Sequence, residues 1–251
     1  MEQGIERAAE MVRCARHVIA LTGAGISTES GIPDFRSAGG LWQKYDPAEY
    51  ASIHAFQSDP DKVWRMLFDM IDLTRKALPN PGHRALAELE EMGFLKCVVT
   101  QNIDNLHQAA GSVSVIEYHG NVSRLECINC GAVYGESDFN VDEIAEKRVP
   151  PLCAACKGVL KPGVIFFGEM IPRDAMIRSD EEAREADLVL VIGTSAVVYP
   201  AAGIPLIAKQ HNAAIIEFNT ESTDLTRYAT DLFIMGMAGT TLPELARRLR
   251  S

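Results

Sequence analysis

Positive charge is scarce in this sequence. Lys and Arg number 24 against 34 Asp and Glu, a formal net charge of −10. That argues against nucleic acid as the main partner, because phosphate binding needs basic surface. An acidic surface suits a basic protein substrate, and equally a generic soluble protein. An N-terminal signal-peptide pattern is missing too, since Glu2, Glu6 and Arg7 put charge where an apolar run belongs. No unbroken membrane span is present. Leu188 to Ala208 carries no charged residue, but Gly193, Thr194, Ser195, Pro200, Gly203 and Pro205 interrupt it, so it reads as strand, loop and buried helix. Internal repeats and low-complexity tracts are absent. These absences leave a soluble cytoplasmic protein as the expectation, and 47% apolar content is enough for one large core or a large and a small one.

One further absence lies in the stretch that organises the chain, Gly23 to Ser37. Val18 to Thr22 reads as a buried strand, and Gly23 and Gly25 then allow a tight turn, as where dinucleotide-binding folds present backbone N–H groups to a pyrophosphate. The third glycine of that fingerprint is missing, with Thr28 in its place. No second strand with a ribose-binding acid follows, which disfavours a hydride-transferring dehydrogenase. Instead Ser30 to Gly40 is too rich in Gly and Pro for a helix. It reads either as a mobile surface loop or as a lid that carries Phe35 and Arg36 over a ligand.

Beyond this loop, helices and strands alternate. Helical periodicity covers residues 3–16, 59–77, 83–92, 173–185, 201–210 and 242–249. Short apolar runs at 97–100, 115–118, 188–192, 214–218 and 232–235 read as strands. This pattern predicts an α/β fold with a doubly wound parallel sheet. Polar clusters stand at strand ends, where such sheets bind ligands: Gln101, Asn102, Ile103 and Asp104; His119-Gly120; Gly193-Thr194-Ser195; and Asn219. His119 there reads either as a satisfied structural histidine or, by its position, as a neutral imidazole suited to general-base work. Asp104 either orients a ribose or water, as Asn102 would, or caps the next helix. Asn219 either meets a ribose hydroxyl or starts a turn.

Two CxxC pairs, Cys127/Cys130 and Cys153/Cys156, are separated by 22 residues. Four thiolates complete a tetrahedral zinc site with no position open for water, so the predicted zinc is structural. A nucleic-acid-binding zinc ribbon is the competing reading, and the acidic residues between the pairs oppose it. Cys14 and Cys97 fall on helix and strand patterns and read as inert.

Taken together, GAGISTESGIPDFR, TQNID at 100–104, HG at 119–120, the CxxC pairs, FFGE at 166–169, GTS at 193–195 and VVYP at 197–200 resemble the sirtuin family, specifically its compact prokaryotic members. The resemblance implies a Rossmann-type NAD-binding domain (1–36, 81–120 and 161–251), a lid and helical insertion (37–80) and a zinc-binding module (121–160). It implies NAD as co-substrate and zinc as a structural ion. By motif match, Gly23, Ala24, Gly25, Ser27, Thr28, Phe35, Arg36, Gln101, Asn102, Ile103, Asp104, His119, Gly193, Thr194, Ser195 and Asn219 would contact NAD. His119 would be the base, with Asn102 and Asp104 as further catalytic residues, and Ile165, Phe167 and Val198 would line a tunnel for an acyl-lysine. The activity implied is NAD-dependent protein-lysine deacetylation, with nicotinamide and O-acetyl-ADP-ribose as products. Mono-ADP-ribosyl transfer or NAD hydrolysis on the same scaffold are the alternatives. Family members that prefer succinyl or malonyl groups carry a Tyr-x-x-Arg pair, and ungapped placement puts Leu67 and Met70 at those positions, unless the nearby Arg65 takes the role by a shift of register. Acetyl or longer apolar chains are therefore expected. The partners expected are acyl-lysine proteins of basic character, with neither membrane nor nucleic acid.

Overall fold

The computed structural model describes residues 2–37 and 39–250; Ala38, within the expected lid, lies outside them. Six parallel strands form the main sheet: β1 (Val18–Thr22), β2 (Leu95–Thr100), β3 (Val115–Glu117), β7 (Leu188–Ile192), β8 (Ala214–Asn219) and β9 (Leu232–Met235), in the order β3-β2-β1-β7-β8-β9. A second, antiparallel sheet joins β4 (Gly120–Cys127), β5 (Val133–Tyr134) and β6 (Leu160–Val164) in the order β5-β4-β6.

The main sheet is buried on both faces because its strands are apolar throughout. Side chains of β1 alternate: Val18 and Ala20 pack with the helices Glu2–Cys14, Pro81–Glu91 and Ala238–Arg250, while Ile19 and Leu21 pack on the opposite face. Strand order reverses at β1, whose neighbours β2 and β7 lead away to opposite sides. Their carboxyl ends therefore open a crevice at the switch point.

The segments expected to form the zinc-binding module and the helical insertion share one core. Phe56, Val63, Trp64, Met66, Leu67 and Phe68 pack with Leu125, Cys127, Cys153, Leu160 and Val164. The indole N–H of Trp64, fully buried, donates to the Leu160 carbonyl at 2.9 Å. Residues 161–164 pair with β4 in this small sheet rather than with the parallel strands.

Most long elements lie where periodicity puts them, Arg173–Glu185 and Leu188–Ile192 to the residue. Asp59 caps the helix Pro60–Thr74 by accepting from Lys62 N–H, with Pro60 in the first turn. The last helix starts at Ala238, four residues before the expected Leu242; Pro243 hides its first turn from a propensity reading, and Glu29 accepts from Gly239 N–H there at 2.6 Å. The short helices Pro47–Tyr50, Ile53–Ser58, Val141–Lys147 and Asp224–Tyr228 show no period in the sequence, being too short for one, whereas Leu106–Ala110 is the helix that Asp104 was expected to cap. Among the described residues, no helix is long and apolar enough to cross a membrane.

Candidate active site

The turns after β1 and β7 are packed against each other. Gly25 N–H donates to the Gly193 carbonyl at 2.8 Å, and a Cβ on Gly25 would fall 2.7 Å from the Gly193 Cα. Only glycine permits that approach. The chain then coils through a 3-10 helix, Ala24–Ser30, rather than an open phosphate loop.

These turns floor a cavity of about 620 Å³ that every residue expected to contact NAD or the acyl-lysine lines. Its polar end is a hydrogen-bonded network. Asn102 Nδ2 donates to the Gly23 carbonyl and to Ser27 Oγ, both at 3.1 Å. Ser27 Oγ donates to Asp104 Oδ2 at 2.7 Å, and the other Asp104 oxygen accepts from Leu106 N–H at 3.0 Å. Asp104 thus both starts a helix and faces the site. Gln101 Nε2 donates to Thr194 Oγ1 at 3.1 Å, and Arg36 reaches Ser195 Oγ at 3.3 Å. Asn219 spends its amide on the protein, donating to the Thr194 carbonyl at 3.0 Å and accepting from Thr220 N–H at 2.9 Å.

His119 sits at the end of β3, partly buried, with Nδ1 3.1 Å from the Gln101 carbonyl oxygen. A carbonyl can only accept, so Nδ1 carries the proton and Nε2 the lone pair. Burial pushes the ring's pKa down, more than the Gln101 contact raises it, which favours the neutral imidazole.

Two more histidines stand behind the network, and sequence reasoning assigned a role to neither. His83 is fully buried, 3.4 Å from Ser27 Oγ through Nε2, and its pKa is pushed down to about 4 by burial, against the pull of Asp104. His107 lies 2.9 Å from Thr22 Oγ1 through Nε2, and burial, with His83 beside it, takes its pKa to about 3. The two rings meet edge-on at 5.0 Å. His107 closes the polar run 101–107 that follows β2, but nothing local in the sequence showed that its ring and that of His83 are buried together.

The other end of the cavity is apolar. Met66, Leu67, Met70 and Leu73, on one face of the helix Pro60–Thr74, line it with Ile165, Phe166 and Phe167. Arg65 is exposed and does not line it, so no register shift brings that cation inside. The segment after the 3-10 helix folds over the opening. Asp34 accepts from the N–H groups of Arg36 and Ser37 at 2.9 and 2.8 Å, Trp42 N–H donates to the Phe35 carbonyl at 3.0 Å, and the Phe35 and Trp42 rings lie 4.9 Å apart. Thr220, Ser222, Thr223, Met237 and Ala238 also line the cavity; their composition gave no signal.

The four cysteines converge. Their sulfurs all lie within 4.8 Å of one another, with Cys127–Cys156 at 3.4 Å and Cys130–Cys153 at 3.6 Å. Thiolates around a tetrahedral zinc at about 2.3 Å would be about 3.8 Å apart, so the set fits the ion. Cys127 and Cys153 are buried in the apolar cluster with Trp64. Tyr134 braces the site, its hydroxyl 3.2 Å from Cys153 Sγ and accepting from Ala154 N–H at 2.9 Å.

A model of the Sir2 family matches residues 23–200. The chain is 48% identical to "NAD-dependent protein deacylase 2" of Pyrobaculum aerophilum, over 97% of this chain and 96% of that one. It is 44% identical to "NAD-dependent protein deacylase 1" of Archaeoglobus fulgidus, over 98% of each. Among solved structures, one of a Sir2 enzyme superposes with a TM-score of 0.93 at 44% identity, covering 100% of this chain and 99% of that one. A Sir2 homologue in complex with NAD gives 0.88 at 43% identity, covering 98% and 93%. One bound to a myristoylated histone peptide gives 0.85 at 38% identity, covering 100% and 98%.

Proposed function

This chain belongs to the Sir2 family, and on that premise we propose that it is an NAD-dependent protein-lysine deacetylase. It consumes NAD and an acyl-lysine, and yields nicotinamide, free lysine and O-acetyl-ADP-ribose. The observation that carries this reading is the single cavity in which the polar strand ends and His119 meet an apolar compartment, a shape for two substrates, one polar and one apolar.

The residue roles follow from that shape. NAD lies across the β1 and β7 turns, with Asn102 and the Ser27–Asp104 pair toward its nicotinamide ribose. Their mutual hydrogen bonds fix their orientation before the substrate arrives, which lowers the cost of reaching the reactive geometry. Breaking the nicotinamide bond builds positive charge on the ribose carbon, and the acyl oxygen of the substrate attacks there. Ile165, Phe167 and Val198 hold the acyl-lysine and exclude competing water. His119 Nε2 then takes a proton from a ribose hydroxyl, which attacks the imidate carbon. Water completes the release. Cys127, Cys130, Cys153 and Cys156 would hold zinc, whose part is to tie the small sheet together.

A second reading concerns the acyl group. Arg36 is the one Arg or Lys among the described residues lining the cavity, and it is engaged with Ser195. Met66, Leu67, Met70 and Leu73 offer a dicarboxyl tail no partner, so we favour acetyl and longer apolar chains over succinyl. The net charge of −10 supports basic protein substrates, and a chain whose cysteines form a thiolate cluster rather than disulfides suits the reducing cytoplasm.

The test is mass spectrometry of NAD reactions with matched acetyl-, myristoyl- and succinyl-lysine peptides, using the parent and His119→Ala. O-acyl-ADP-ribose from the first two peptides, lost in the variant, is expected. ADP-ribosyl protein or free ADP-ribose with every peptide unchanged would instead establish transfer or hydrolysis.

A further inference from the structure

We propose that Lys161 and Glu169 form a buried positioning pair that sets the strand against which the acyl-lysine docks, an inference that rests on the deacetylase reading. Lys161 is 2% exposed, an unusual place for an ammonium group. Its Nζ donates to the Pro162 carbonyl at 3.0 Å and the Val164 carbonyl at 2.8 Å, and it lies 3.2 Å from Glu169 Oε2. Two carbonyls thus accept from the ammonium, and the carboxylate balances its charge. The ammonium also sits 4.9 Å from the centre of the Phe166 ring.

The location explains the charge. β6 pairs with β4 at Gly120 and again at Leu125 to Cys127, but register breaks between Gly120 and Leu125. Residues 121–124 of β4 stand opposite Gly163 alone, so the ladder cannot close regularly here. The ammonium gathers the carbonyls on either side of Gly163 and hands the same charge to Glu169.

Glu169 passes the order on. Its Oε2 accepts from Phe166 N–H at 2.7 Å, and its own N–H donates to the Phe166 carbonyl at 3.0 Å, closing a turn at both ends. The neighbours of Phe166 are fastened to the site on either side. Ile165 N–H donates to the His119 carbonyl at 2.9 Å, and Phe167 pairs with Ala51 and Ile53 of the helical insertion at 2.9 and 3.0 Å. Lys161 does not itself line the cavity, but the segment that it roots, Val164 to Phe167, does and is bonded to His119. Its effect should fall on the peptide and spare the nucleotide.

The test compares Lys161→Met, Lys161→Arg and Glu169→Gln with the parent, reading acetyl-peptide affinity by fluorescence anisotropy, peptide KM and kcat, and ADP-ribose affinity by calorimetry. Lys161→Met should weaken the peptide terms about tenfold or more and leave ADP-ribose affinity within about twofold. Lys161→Arg, which keeps the charge, should recover most of the loss. Glu169→Gln keeps an oxygen for Phe166 N–H but ends the ion pair, and should raise peptide KM about threefold or more; it decides the matter alone if Lys161→Met does not fold. Peptide terms within twofold of the parent, or ADP-ribose affinity falling in parallel, overturn the pair's positioning role. A parent that binds the acetyl peptide but does not deacylate it counts against the deacetylase reading, and the anisotropy comparison still decides this one.

Discussion

His119 Nδ1 faces the Gln101 carbonyl at 3.1 Å, and Ile165 N–H faces the His119 carbonyl at 2.9 Å. The same residue is thus fixed at its ring by the strand-end cluster and at its backbone by the segment proposed to hold the acyl-lysine. Because burial lowers the ring's pKa, the base stays neutral below the ordinary histidine range near 6.5. The acidic limb of kcat/KM for an acetyl peptide should therefore have an apparent pKa below about 6.5, and His119→Ala should cut kcat by about 10²–10⁴. Rates measured from pH 5 to 8 check this, and a limb centred above 6.5 would contradict it.

Zinc should matter to the fold and not to the chemistry. Cys127 and Cys153 are buried in the cluster that includes Trp64, Leu125 and Leu160, so losing the ion loosens a core shared with the helical insertion. Cys153→Ala, or chelation of the parent, should lower Tm by about 10 °C or more, since each kcal/mol is worth about 2–4 °C in a chain of this size. Calorimetry with metal analysis reads this; a zinc-free, soluble and fully active variant would sink the structural assignment.

Much of this was legible because the informative residues sit at ends of elements. Gln101 to Asp104, His119 and Ser195 each follow an apolar strand, where periodicity stops and polar chemistry shows. The CxxC pairs carry their own spacing. What stayed hidden depends on contacts distant in sequence: His83 lies 56 residues from Ser27, which it meets, and Lys161 looks like a surface charge until β4 and β6 close around it. The packing of the helical insertion on the cysteine-bearing segment is equally non-local, as in the Trp64–Leu160 bond across 96 residues.

The acyl compartment supports a designed change of preference. Leu67 is 5% exposed and lines the cavity together with Met70, one turn away on the same helix face. The parent should process decanoyl- or myristoyl-lysine with a lower KM than acetyl-lysine, and succinyl-lysine poorly. Leu67→Tyr with Met70→Arg supplies a hydroxyl and a cation for a carboxylate tail. A hydrogen bond to a charged group is worth about 1.5–3 kcal/mol, so succinyl kcat/KM should rise about tenfold or more. Peptide competition assays decide it, and an unchanged ranking would place the acyl end elsewhere.

Stability should fall with pH because of His83 and His107. They are 0% and 1% exposed, and their pKa values are depressed to about 4 and about 3. The unfolded chain takes up protons near pH 6.5 that the folded chain refuses, so unfolding becomes easier as pH drops. The contribution is fully present above about 6.5 and is lost progressively down to about 4, where His83 begins to protonate in place. Each histidine costs up to about 1.4 kcal/mol per pH unit in that window, and the pair should cost about 2–3 kcal/mol between pH 7.5 and 5.5. His107→Gln keeps a donor toward Thr22 without a titrating ring and should remove about half of that loss. Urea unfolding at the two pH values measures both terms. An unfolding free energy that is equal at pH 7.5 and 5.5 would mean that the rings protonate where they sit, and the hydrogen bonds assigned to Ser27 and Thr22 would then have to be redrawn.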